Sequence, residues 1–181
     1  IDAVADAAAA LSLPVLRSSP VCVVAGWSYG GTVAVSLAAR LQRGGVAVGS
    51  VVLIDAPLQL ADNPRSLWAS RGSTELADAD AALMRDFMEG APARARDHFA
   101  RCTRLLQEHV CSEWLDGCDV IDVRPAESGM RARPSFERLS DGACHSITIT
   151  GATHWTLLKG ARAIEIATRV QEALNADQFE E

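Results

Sequence analysis

The segment Gly26-Trp27-Ser28-Tyr29-Gly30-Gly31 satisfies the pattern G-x-S-x-G and lies directly between an apolar run, VCVVA, and a stretch of helical character, TVAVSLAARLQR. A nucleophile elbow needs this setting. It is a tight strand-to-helix turn in which a serine takes a strained backbone conformation, with glycines two residues before and after it so that the chains pass without Cβ clashes. Ser28 would then stand where a helix begins. The helix N–H groups and dipole favour negative charge there, and the backbone N–H of Tyr29 would donate to the oxyanion of a tetrahedral intermediate. A serine hydroxyl is a poor nucleophile near neutral pH, so a histidine must take its proton and an acid must hold that histidine's tautomer.

The chain has four histidines. His98 and His109 fall in helices of an insertion and His145 just precedes a strand, positions that suit surface or packing roles. His154 instead follows the run SITIT after Gly151, where the chain reaches the edge of the sheet on which an elbow serine is exposed. It also gives the order serine, acid, histidine. Two carboxylates compete for the acid. Asp55 ends VVLI, the strand next to the elbow strand, and precedes Ala56-Pro57; Glu127 follows the strand after that, in Arg124-Pro125-Ala126-Glu127-Ser128. Spacing alone leaves both open.

The elements that must position these residues are legible as patterns. Residues 21–25 and 51–54 are continuous apolar runs rich in β-branched side chains, as in parallel strands covered by helices on both faces. The helix between them stops at Gly44-Gly45, which makes a βαβ unit. Residues 119–123 and 146–149 read as two more strands, and 161–175 as a helix with Ile164, Ala167, Val170 and Leu174 on one side. The order β-α-β, insertion, β, β, α is that of an open α/β sheet.

The insertion, about residues 60–118, offers two amphipathic helices, near 74–89 and 92–110, broken at Gly90 and Pro92. Leu76, Leu83, Met84, Phe87 and Met88 gather on one side of the first; Phe99, Cys102, Leu106 and Val110 do so on the second. The two stripes suit either a helical hairpin buried against the sheet or a lid over an active site.

At 181 residues, 49% hydrophobic and 22% charged, the chain fits one domain, residues 1–181, with a substantial core. A net charge of −6, with no cluster of Lys or Arg, argues against a nucleic-acid partner. No apolar run approaches the roughly 20 residues of a membrane span, and the opening IDAVADAAAALSL is acidic where a signal peptide is basic; a soluble, cytoplasmic protein is expected. Five cysteines without a C-x-x-C pair suggest free thiols rather than disulfides or a zinc site.

Together GWSYGG, VVLIDAP and GATHWTLL resemble the thioesterase domains that end modular polyketide synthases and nonribosomal peptide synthetases, over nearly the whole chain. The resemblance implies an α/β-hydrolase fold with a helical lid insertion, Ser28 as nucleophile, His154 as base and Asp55 rather than Glu127 as acid. It implies a substrate carried on the phosphopantetheine of an acyl or peptidyl carrier protein, released by hydrolysis or cyclisation, with no metal or redox cofactor. Thr153 departs from the family, which often has Asp before the histidine. The family also begins with several further strands and a loop giving a second oxyanion N–H, so the chain reads as the C-terminal part of a longer polypeptide. The alternatives are a stand-alone carboxylesterase or lipase-like hydrolase, and a non-catalytic fragment that binds a carrier domain.

Overall fold

Side chains branched at Cβ favour extended backbone, and four segments rich in them pair into one parallel sheet of order β1-β2-β3-β4. The strands are β1 (Cys22–Trp27), β2 (Val48–Ile54), β3 (Asp119–Pro125) and β4 (Cys144–Ile149). The computed structural model describes residues 1–58, 60, 82, 85–86, 88–126 and 136–176. Each strand reaches beyond its apolar run. Trp27 and Ile54 pair with one another at the carboxyl end of the first two strands, so β1 stays extended up to the residue before Ser28. Cys144 and His145 pair with Val120 and Ile121, which places His145 inside β4 rather than before it. Ladder hydrogen bonds hold these polar or small residues in line, whatever their hydrophobicity.

Because side chains alternate along a strand, β2 feeds two cores. Val51 and Leu53 pack with Val24, Val120 and the buried face of α2 (Tyr29–Arg43), in which Ala34, Val35, Ala38 and Leu41 are sealed from solvent. Val52, on the other face, joins Ile121, Val123, Ile147, Ile149 and Leu157 beneath Ile166 of α4 (Ala161–Ala176). Helices therefore cover both faces, as continuous apolar strands require.

The amino-terminal helix α1 (Asp2–Leu16) buries little beyond Ala5 and Ala9. It is held to α2 by Arg40, which bonds Asp6, Asp2 at 3.0 Å and, from the end of the insertion, Glu113 at 3.1 Å.

Of the helix expected near 74–89, residues 82, 85, 86, 88 and 89 are helical and the rest lies outside the described residues. The second insertion helix is α3 (Ala93–Glu108), shorter than 92–110 because Pro92 is its N-cap and His109 is already extended at ψ 125°. Leu60 bridges Cys111, and both are buried, so the segment between β2 and β3 leaves and returns through one point.

Candidate active site

At the end of β1 the chain must reverse into α2 within a single residue. Ser28 takes the strain, with φ 53° and ψ −126°, a region that residues bearing a Cβ rarely occupy. Its amide donates to Ile54 O at 2.9 Å and its carbonyl accepts from Gly31 N at 2.9 Å, so the turn is tied both to β2 and to the first turn of the helix. A Cβ on Gly26 would overlap the Gly30 carbonyl, and one on Gly31 would overlap the Ala56 Cβ, whereas one on Gly30 would meet nothing. The expectation that the glycines two before and two after the serine clear the turn therefore holds for Gly26 and needs correction for Gly30. Gly31, outside the five-residue pattern, is the close-packed one. Ser28 and Tyr29 thus stand at the start of α2, where the N–H groups of a helix have no carbonyl partner within it.

Asp55 follows β2 and also has a positive φ, 43°, its amide held by Val123 O at 2.7 Å. Aspartate tolerates this conformation better than most residues. Its carboxylate is buried, 3% exposed, and Oδ2 accepts from His154 Nδ1 at 2.7 Å; among the described residues Oδ1 makes no hydrogen bond.

His154 comes from the loop after β4. Gly151, with φ 63°, turns the chain out of the strand, and Ala152 and Leu157, both fully buried, anchor the loop on either side of the imidazole. Between them Thr153 N donates to Thr156 Oγ1 at 2.9 Å, and Leu157 N donates to Thr153 O at 3.0 Å. Thr153 thereby serves the turn. The imidazole is 24% exposed. Trp27 stacks on it with ring centroids 5.1 Å apart and planes inclined by 25°, and Trp155 meets it edge-on at 5.2 Å and 88°. With Nδ1–H given to Asp55, Nε2 is the ring's basic atom.

The structure thus joins Asp55 and His154, 99 residues apart in the sequence, beside the elbow. Among the described residues it draws no hydrogen bond from Ser28 Oγ to His154; such contacts often tighten only when substrate is bound. His98 lies on α3 with Nε2 3.5 Å from Cys102 Sγ, and His109 caps that helix, where burial pushes its imidazole down. Burial, with a smaller effect from Cys102, pushes the Tyr29 phenol up, which marks the proximity of α3 to the start of α2. Glu127 lies outside the described residues. No motif in the sequence marks Trp27 or Trp155. The only signal was two tryptophans, each adjacent to a residue already singled out.

A thioesterase-domain family model matches residues 1–110. An orsellinic acid synthase of Armillaria mellea is 42% identical over 66 residues, 36% of this chain and 3% of that protein, and the orsellinic acid synthase of Armillaria ostoyae matches equally. The matched part is thus a small fraction of those relatives' length. Among solved structures, the thioesterase domain that cyclises the lipopeptide antibiotic surfactin superposes with a TM-score of 0.67 at 19% identity, over 97% of this chain and 77% of that one. Human thioesterase 2 gives 0.68 at 17% identity, over 99% and 84%. The NocB thioesterase domain, in covalent complex with a fluorophosphonate nocardicin G analogue, gives 0.66 at 15%, over 97% and 75%. The α/β-hydrolase fold expected from the sequence is the fold of this chain, and no helix among its described residues is long and apolar enough to cross a membrane.

Proposed function

The chain belongs to the thioesterase-domain family, and from that premise we propose that it releases an acyl or peptidyl chain from the phosphopantetheine arm of a carrier protein through an acyl-serine on Ser28. One observation carries the proposal: the 2.7 Å bond from His154 Nδ1 to the buried carboxylate of Asp55, made beside a serine with φ 53°.

In this reading Ser28 Oγ attacks the thioester carbonyl carbon while Nε2 of His154 takes its proton. Asp55 holds Nδ1–H and stabilises the imidazolium. The oxyanion of the tetrahedral intermediate accepts from the Tyr29 N–H at the start of α2. As the C–S bond breaks, His154 returns the proton to the phosphopantetheine sulfur. Water, activated by the same imidazole, then gives a free acid; a hydroxyl or amine of the chain itself gives a lactone or lactam. Nucleophile, base and oxyanion donor all come from the protein, so the proposed route calls for no metal or redox cofactor.

A short acyl-carrier thioester tests this by intact-mass and peptide analysis. Acyl mass on Ser28 is the expected result, absent in Ser28→Ala and in His154→Ala. Thioester turnover undiminished in Ser28→Ala would overturn the route. Turnover on aryl esters matching that on the carrier thioester would point instead to an oxygen-ester hydrolase.

A further inference from the structure

We infer that Trp27 is a positioning residue for the imidazole of His154: its indole face sets the tilt of the ring, and so the direction of Nε2, from the strand that also carries the nucleophile. The inference rests on the roles proposed for Ser28 and His154.

A single hydrogen bond fixes one atom of a ring. Bonded to Asp55 through Nδ1 alone, the imidazole could still swing about the Nδ1 to Oδ2 line, and Nε2, on the far side of the ring, would move most. His154 sits in a loop and is partly open to solvent, and the ring contact from its own segment, that of Trp155, is edge-on. The stack on Trp27, at 5.1 Å and 25°, removes that freedom, and the edge contact from Trp155 limits the ring on another side. Trp27 and Trp155 also meet edge to face, with centroids 6.2 Å apart, which braces the indole itself.

The origin of Trp27 matters as much as its contact. It pairs with Ile54 in the parallel ladder and immediately precedes Ser28. The same short segment therefore places the hydroxyl and the surface on which the base rests. Asp55 follows the other residue of that pair. A movement of the His154 loop would have to break the stack before it could misalign base and nucleophile. Trp27 is also 36% exposed, so its bulk is not spent on the core as that of Val24 is. When the imidazole takes a proton, the indole face attracts the cation formed, an interaction present in the transition state and absent from the resting neutral ring.

The test compares Trp27→Leu and Trp27→Phe in acylation of Ser28 by a small thioester, with Ser28→Ala and His154→Ala alongside. Trp27→Leu is expected to lower kcat about tenfold with KM little changed, the size of a cation-π contact converted to rate. Trp27→Phe, which keeps an aromatic face, recovers most of the loss. In proton NMR the carbon-bound imidazole protons of His154, shielded by the indole in the parent, move downfield in Trp27→Leu and largely return in Trp27→Phe. Full kcat in Trp27→Leu would overturn the inference, as would a loss confined to KM, or equal damage from leucine and phenylalanine. Acylation that survives Ser28→Ala or His154→Ala instead refutes the proposed roles themselves, so the two failures are distinguishable.

Discussion

Two buried aspartates, one within β3 and one just beyond the end of the neighbouring β2, have different partners. Asp122, in the middle of β3, takes Nε of Arg124 on both carboxylate oxygens, at 2.9 and 2.8 Å, and the guanidinium is itself only 3% exposed. Asp55, just beyond β2, is equally buried but faces a histidine that solvent can reach. The first pair joins a carboxylate to a group that never gives up its charge. It is closed off within regular strand backbone, with Nη1 and Nη2 of Arg124 left without hydrogen bonds among the described residues. The second joins a carboxylate to a ring that can be neutral or charged, on a backbone held at positive φ. Burial alone therefore does not distinguish the two carboxylates. A partner able to change its charge, at a strand end where the chain is strained, does so.

The largest effect that could break this contrast is at Asp55. Asp55→Asn keeps the shape but removes the charge that, in the proposed mechanism, steadies the imidazolium, so kcat on a carrier thioester should fall by about 10⁴ while the unfolding midpoint changes little. Glu127→Gln serves as the control, and an equal loss there would erase the distinction drawn for Asp55. Next comes Asp122→Ala, which leaves a buried guanidinium uncompensated and should cost about 3–5 kcal/mol in denaturant unfolding. Replacing the pair together, as Asp122→Leu with Arg124→Met, should restore most of that stability. If Asp122→Ala unfolds no more readily than the parent, the pair is not the lock described. The smallest effect sharpens the rim alone. Gly31→Ala presses a methyl group on Ala56, beside Asp55, and should cost about 1–3 kcal/mol together with activity; Gly30→Ala, facing open space, should cost less than either.

What could be read in advance follows from this contrast. Ser28 is marked by G-x-S-x-G between an apolar run and a helix, and Asp55 and His154 by their places after apolar runs, because hydrophobicity announces where a strand ends. The choice between Asp55 and Glu127 came from family likeness, since spacing says nothing about which strand end meets the histidine. The stack of Trp27 on His154 was hidden for the same reason: it joins β1 to the loop after β4, and no local pattern encodes a contact between segments so far apart. Gly31 was hidden by the pattern itself, which counts positions and not the approach of Ala56. The ends of the strands were hidden because paired backbone carries polar residues along with it. Asp122 and Arg124 share one face of β3, yet their seclusion depends on β3 lying inside the sheet, which only the strand order reveals.

The bridge between Leu60 and Cys111 has a consequence for change over time. A loop gripped at its neck can change in length at only a slowly growing cost of closure, so long as the contacts of α3 with the start of α2 are kept. Asp55 lies outside that neck, and so do Ser28 and His154. Changes of length between Leu60 and Cys111 can therefore be tried without re-solving the geometry at the rim.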